Sequence, residues 1–268
     1  MEYYHRGVVC HLIGGTLAIP LDIEMLRPGE GELAAALRLM ERVIGTYGRL
    51  FDVVVGDALY LDGGFVNLCR SRGKEVIAGL KKNNAALLAD AEGVIKLLEP
   101  EQWRDENRSV RLWDVEGFSS SERLEAASRV VHSDETVTTR EHRGPQRVQK
   151  TTKHSWWWAT TIASLKLPGR AVWQVGHARW DIENDLYEHL CKYWSLDHCY
   201  KHHPHAILNF VLTLFIAFVL VQSFYHRNLK PALRCRYTLI GIGLELTIDL
   251  GAPGCTAPWA ATICGPAP

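Results

Sequence analysis

From Ala206 to Phe224 the chain carries no charged side chain. A run of that length satisfies either a bilayer-spanning helix or the buried central helix of a large domain. Asn209, Thr213 and Ala217 recur at steps of four, which draws a weakly polar stripe down one helical face. The flanks show no strong charge asymmetry, with His202, His203 and His205 before the run and Arg227 and Lys230 after it. The buried helix is the preferred reading, and a single membrane span over 206–224 is its rival. The chain of 268 residues is 47% hydrophobic and 22% charged, so it can build a sizeable core and is not disordered throughout. Its seven cysteines form no CxxC pair, which argues for a reducing compartment rather than a disulfide scaffold. The opening residues lack the apolar run of a signal peptide.

Lys+Arg and Asp+Glu number 30 each, so total charge does not announce a nucleic-acid binder. The local balance is uneven. Residues 90–125 are acidic, whereas from 140 to 170 Arg140, Arg143, Arg147, Lys150, Lys153, Lys166 and Arg170 stand against Glu141 alone. From 201 to 244 the charged residues are all basic: Lys201, Arg227, Lys230, Arg234 and Arg236. Such blocks form a phosphate-binding face or a solvated loop with helix-end cations, and spacing alone does not separate the two.

Two β-rich runs, Tyr3 to Leu12 and Leu17 to Met25, are parted by a Gly14-Gly15 hairpin signal. Glu32 to Tyr47 then reads as an amphipathic helix with Leu33, Leu37, Met40 and Ile44 on its apolar side. A strand at Phe51 to Val55, a helix at Gly64 to Arg72 and a strand at Glu75 to Leu80 follow, which predicts a mixed sheet with helices on it. Residues 93–155 read as a β-rich insertion of short strands, including Val110 to Val115 and Ala127 to Val131. Trp173 to Tyr193 reads as one helix before the apolar run, and 251–268 reads as a disordered Gly-, Pro- and Ala-rich tail.

Asp57 follows the strand Phe51-Asp52-Val53-Val54-Val55-Gly56, where α/β sheets place their ligands, although an Asp there also serves as a plain helix cap. In Arg179-Trp180-Asp181-Ile182-Glu183, Arg179 and Glu183 share a face if the segment is α-helical, as a simple surface salt bridge would. Trp156, Trp157 and Trp158 are either alternating core and edge residues of a strand or a platform for stacking a base. Cys191, His198, Cys199, His202, His203 and His205 form one cluster, whereas zinc sites pair ligands across two separated spacings, so a core or DNA-facing role is favoured over zinc.

The stretch FDVVVGDALYLDGGFVNLCRSRGKEVIAGLKK, residues 51–82, resembles the second catalytic segment of DDE transposases, and GHARWDIENDLYEHLCKYW, residues 176–194, resembles the third. RPGEGELAAALRLMERV before the Asp57 strand and FYHRNLKP near the end are similar to the insertion-sequence-four family of bacterial transposases. The resemblance spans 1–250 as one catalytic domain with the 93–155 insertion inside it. It implies an RNase H-like α/β fold and three carboxylates holding two divalent ions, Mg²⁺ or Mn²⁺. Two such ions activate the attacking oxygen and stabilise the leaving one at a phosphodiester, and hard cations prefer carboxylate oxygen. Asp57 and Glu183 match the second and third metal ligands. Arg179 matches a phosphate-contacting Arg.

Departures accompany the match. Gly176 stands where the family signature has Tyr, and Leu190 where it has Lys, so His189 or Lys192 is left to make that phosphate contact. Trp157 is the residue of the Trp run assigned to DNA. The first catalytic Asp and the strand that carries it have no counterpart ahead of the hairpin, so the chain is expected to be an N-terminally truncated, poorly soluble form. The resemblance implies a DNA partner at transposon ends, a homodimer on DNA, a cytoplasmic, nucleoid-associated location and no membrane. The rival functions are a non-enzymatic DNA-binding remnant and a membrane protein.

Overall fold

The computed structural model describes residues 5–105, 107–120, 128–143, 146–198 and 201–251. The two opening strands are β1 (Gly7–Leu12) and β2 (Ile19–Met25), paired in a two-stranded sheet. The Leu26 N–H donates to the Arg6 carbonyl at 2.9 Å beside that pair. The Tyr3–Tyr4 start of the first expected strand, and all but the first residue of the expected tail, lie outside the described residues.

The expected helix is present as α1 (Glu32–Tyr47), but its buried side is rotated from the Leu33–Leu37–Ile44 stripe. Ala35, Ala36, Leu39, Met40 and Val43 are buried, while Leu33, Leu37 and Ile44 are half-buried at the margin. Small side chains allow two helices to approach closely. Ala35 and Ala36 belong to the buried side, and α1 packs on α2 (Gly63–Ser71). Asp62 starts α2, its carboxylate accepting the N–H groups of Gly64 and Phe65 at 2.8 and 3.3 Å.

A six-stranded sheet organises the first half of the chain. Its strands are β3 (Val53–Gly56), β4 (Glu75–Gly79), β5 (Glu101–Arg104), β6 (Arg108–Phe118), β7 (Ser128–Arg143) and β8 (Gln146–Thr160), in the order β3-β4-β8-β7-β6-β5. β3 and β4 are parallel and every other pair is antiparallel, so the sheet is mixed. The short strands expected at 110–115 and 127–131 are segments of much longer ones. β6 buries Val110 and Leu112 while Arg111 between them is exposed, and that half-buried alternation hides a strand from a search for apolar runs.

Two helices cover opposite faces. The even residues of β8 and odd residues of β7 face α4 (Gly169–Ala178), where Val131, Trp158, Val172 and Trp173 join Ile77, Val110 and Leu112 in one core. On the other face lies α3 (Ala85–Ile95), with Trp113 Nε1 donating to the Leu98 carbonyl just beyond it. The result is the mixed α/β architecture expected from the sequence, a mixed sheet with flanking helices.

The chain divides into two compact units, Met1–Val8 with Leu26–Arg179 and Val9–Met25 with Trp180–Pro268. The expected helix over 173–193 is not continuous. α4 ends at Ala178, a π-helical turn runs from Ile182 to Tyr187, and α5 (Glu188–Trp194) follows. The interruption falls where one unit gives way to the other. Val172, Trp173 and Gly176 are buried in the first unit, whereas Leu186 and Leu190 belong to the core of the second with Ile23, Leu214, Phe215 and Phe218.

The apolar run forms α6 (Pro204–Ser223), continued by a π-helical turn to Asn228, α7 (Pro231–Arg234) and α8 (Leu239–Gly251). α6 is buried along one face rather than all round. Val211, Leu214, Phe215, Phe218 and Gln222 are inside, while Ile216 and Leu220 are 62% and 63% exposed beside Asn209 and Thr213. Among the described residues it is the helix long and apolar enough to cross a membrane. Its Gln222 amide both donates to the Ala18 carbonyl and accepts the Ala18 N–H, each at 2.9 Å, which ties α6 to the chain entering β2.

Candidate functional site

Asp57 stands at the carboxyl end of β3 with its side chain exposed. Its Oδ1 accepts the Leu59 N–H at 2.8 Å and caps a single 3₁₀ turn, Ala58–Tyr60. The turn folds back tightly on the strand ends. A Cβ on Gly56 would lie 2.7 Å from Tyr60 Cβ, and one on Gly79 would lie 3.3 Å from the Ala58 nitrogen. Two consecutive asparagines after β4 clamp the same loop. Asn83 Nδ2 donates to the Ala58 carbonyl at 2.5 Å and Asn84 Nδ2 to the Leu61 carbonyl at 2.9 Å. Lys81 and Lys82 precede them and are exposed, at the carboxyl end of the strand parallel to β3. Sequence reading assigned no role to these two cations, although the adjacent Lys-Lys-Asn-Asn run after a strand was the available signal.

A buried ionic centre, also missed in the sequence, holds α4 on the sheet. Glu135 of β7 is 3% exposed. Its Oε1 accepts hydrogen bonds from Trp173 Nε1 at 2.8 Å and Ser133 Oγ at 2.9 Å, and it lies 2.7 Å from His177 Nε2. Arg108 approaches Oε2 at 3.6 Å. Burial by itself raises a carboxyl pKa, but the hydrogen bonds from His177 and Trp173, the His177 charge and the Ser133 bond outweigh it and hold Glu135 at about 2. The His177 ring meets Trp156, Trp158 and Trp173 edge-on at 5.5, 5.1 and 5.1 Å. The signal in the sequence was a Glu on the core-facing parity of a strand, with Trp173 and His177 one helical turn apart.

The same packing explains why Gly176 stands at the signature's Tyr position. A Cβ there would lie 2.4 Å from Trp158 Nε1, so the indole already fills that space. Arg129, 2% exposed, fixes the loop that leads into α4. It pairs with both Asp114 oxygens at 2.6 and 2.5 Å and donates to the Ile162 and Leu167 carbonyls at 3.1 and 2.7 Å. Arg179 is the residue that ends α4, half-buried and in the first unit.

Glu183 belongs to the second unit, half-buried on the π-helical turn. Insertions of this kind in helices recur at functional sites. Arg179 and Glu183 therefore do not sit one α-helical turn apart on a continuous helix. Asp181 and Asp185 flank Glu183, and burial, reinforced by the charge of Asp185, raises the Asp181 carboxyl. Both aspartates line a cavity of about 210 Å³ with His11, His189 and His226. Both His11 ring nitrogens are buried without a hydrogen-bond partner, and burial lowers its pKa against the opposing pull of Asp185. His189 is half-buried, its ring edge-on to Tyr193 at 6.0 Å and to Phe218 at 6.4 Å. Lys192 is exposed, 4.0 Å from Glu188 and 5.3 Å above the Tyr193 ring.

The three tryptophans of β8 split by strand parity. Trp158 is in the core and Trp156 packs against it, on the face of α4. Trp157 points to the other face, stacked on His132 at 3.8 Å, which stacks in turn on Trp113 at 5.0 Å. Among the described residues no group of three or more His, Cys, Asp or Glu side chains is arranged to hold a metal ion, and this includes the described members of the 191–205 cluster.

A family model described as a transposase DDE domain matches residues 2–220. Comparison with curated proteins finds no match. The match runs from ahead of β1 into α6 and takes in both the Asp57 and the Glu183 segments, and the chain belongs to the family of transposase DDE domains.

Proposed function

We propose that this chain is the catalytic core of a DNA transposase of the insertion-sequence-four type, in which Asp57 and Glu183 are carboxylate ligands of divalent metal. The observation that carries the reading is Asp57 itself: an exposed carboxylate at the carboxyl end of a parallel strand, inside a matched DDE domain. Transposase DDE domains generally work with divalent ions on a DNA substrate. The donor chemistry here fits Mg²⁺ or Mn²⁺, which favour hard oxygen ligands. The turn that carries Glu183 is acidic, with Asp181 and Asp185 beside it, and acidic groups repel phosphate unless a cation neutralises them. When bound, the ions would activate the attacking oxygen and stabilise the leaving one. The chain's part is to hold Asp57 fixed through the Leu59 N–H and the Asn83–Asn84 clamp, and to present Glu183 on its turn.

Arg179, Lys192, His189 and Trp157 are proposed DNA contacts. Lys192 and Trp157 have the clearest support, as an exposed cation and a half-buried indole with stacking geometry. The first carboxylate would come from a further strand. β3, which leads into Asp57, is an edge strand of the six-stranded sheet among the described residues, and an open edge accepts a strand. A homodimer on DNA in the cytoplasm is the proposed active species. Magnesium-dependent nicking of DNA that carries the element's ends tests the reading. Nicking that disappears in both Asp57→Ala and Glu183→Ala supports it, and nicking indifferent to both substitutions refutes the assignment. The second reading is a DNA-binding remnant without catalysis, which keeps the basic run of residues 140–170. It predicts duplex binding with no nicking in Mg²⁺ or Mn²⁺.

A further inference from the structure

The last part of the β7–β8 hairpin stands clear of the sheet. β6 pairs with β7 only as far as Arg108↔Val137, and β4 pairs with β8 only over 158–160. The Thr138 N–H still donates to the Asn107 carbonyl at 2.8 Å, and from Thr139↔Lys150 to Arg143↔Gln146 the two strands pair with each other. Five residue pairs at about 3.4 Å per residue make a ribbon roughly 17 Å long. Its composition is unlike the rest of the chain. Residues 138–153 contain five bases, Arg140, Arg143, Arg147, Lys150 and Lys153, against Glu141, a net charge of +4 in a chain whose total is zero.

Strand alternation sorts the residues further. Gln149, Thr151, Lys153, Ser155 and Trp157 share one face of β8, and the register sets Arg140, Thr138 and Thr136 beside them on β7. Arg140, Gln149, Thr151, Lys153 and Ser155 are exposed. The described residues of this face on the ribbon are cations or hydrogen-bonding groups, whereas Val137 and Val148 fall on the other face. At its root the same face carries Trp157 and, on β6, Arg111, whose guanidinium lies 5.3 Å from the Trp113 ring and pairs with Asp134 at 2.7 Å. A two-stranded β-ribbon fits the major groove of duplex DNA, where Arg, Lys, Gln, Thr and Ser meet base edges and phosphates.

We infer that the 138–153 ribbon is a DNA arm that lies in the groove of a duplex, with Arg140 and Lys153 on phosphates and Trp157 at its base. This rests on the DNA reading above but assigns the duplex to a surface separate from Asp57 and Glu183. Each phosphate contact contributes about 0.9 to the slope of log K against log salt. Removing two such contacts lowers the slope by about 1.8 and weakens binding roughly 60-fold at 0.1 M salt.

The test measures fluorescence anisotropy of a labelled 25-base-pair duplex of arbitrary sequence over a salt series. It compares the full chain with Arg140→Ala/Lys153→Ala, with the charge-keeping Arg140→Lys/Lys153→Arg, and with Lys96→Ala/Arg104→Ala, which removes two exposed cations elsewhere. The expected result is a shallower slope and weaker binding in the first pair, near-wild-type behaviour in the second, and at most a small change in the third. Equal losses in the first and third pairs would mean that net charge, not the ribbon, governs binding, and would overturn the proposal. So would an unchanged slope in the first pair while the unsubstituted chain binds, which leaves the DNA reading standing. Absence of duplex binding by the unsubstituted chain at low salt would remove both.

Discussion

Glu135→Gln tests whether the buried ionic centre anchors α4. The carboxyl is held at about 2 against an ordinary value of 4.5. A difference of about 2.5 units at about 1.4 kcal/mol each sets the contribution of the ionised form at roughly 3–4 kcal/mol. That lies at the lower end of the 3–5 kcal/mol typical of breaking a buried pair. Because the folded value is depressed, the contribution is complete at neutral pH and above, and it is lost as pH falls from about 4.5 to about 2. Glutamine retains a carbonyl oxygen for the Trp173 indole and the Ser133 hydroxyl, so the loss falls on the charge facing His177 and Arg108. Urea unfolding followed by tryptophan emission reports this region directly, since Trp156, Trp158 and Trp173 surround His177. The expected outcome is a loss of about 2–4 kcal/mol at pH 7 that shrinks towards zero near pH 2.5. A gap under about 0.5 kcal/mol at pH 7, or one of constant size down to pH 2.5, would refute the reasoning.

Arg129→Met removes a buried guanidinium and leaves Asp114 and the Ile162 and Leu167 carbonyls without their donor. Urea midpoints at pH 7 should show a loss of about 3–5 kcal/mol, and one below 1 kcal/mol would mean the loop ahead of α4 is held by other contacts. Gly176→Ala places a Cβ against the Trp158 indole. It should cost about 1–3 kcal/mol and be eased, not worsened, when combined with Trp158→Leu; additive losses in the pair would show that the clash is not the cause.

Much of the architecture was legible because it rests on local rules. α1 begins and ends at the residues the apolar spacing indicated, and the strand–turn–helix run from β3 to β4 was marked by Gly-Asp and Asp-Gly-Gly punctuation. What was hidden depends on neighbours distant in sequence. The buried side of α1 includes two alanines that contribute little to an apolar count. The break after Ala178 was hidden because Trp173 to Tyr193 keeps a plausible helical pattern, while the cores that bury Trp173 and Leu186 are different ones. Asp57 was singled out from its place after a buried strand. Glu135 was not, since a lone acid in a polar strand reads as solvated until Trp173 and His177 are brought beside it.

Asp57 is the observed cap of its turn and the proposed metal ligand, and Asp57→Asn separates the two roles. Asparagine caps as well as aspartate, so the bond to the Leu59 N–H survives and the turn keeps its shape. If capping is the whole role, DNA affinity is the same in both forms whether or not Mg²⁺ is present. If the carboxylate is a metal ligand close to phosphate, the substitution acts with opposite signs in the two conditions. Without divalent ions it removes a like-charge repulsion worth about 1 kcal/mol at 4 Å in water, and duplex binding should tighten by about fivefold. With millimolar Mg²⁺ it removes an oxygen ligand for the cation that offsets that repulsion, and binding should weaken instead. A metal-dependent change of sign in anisotropy titrations does not arise from a lost cap or from lost stability, since each of those shifts affinity the same way in both buffers. Matching curves in the two buffers would assign Asp57 to the turn alone.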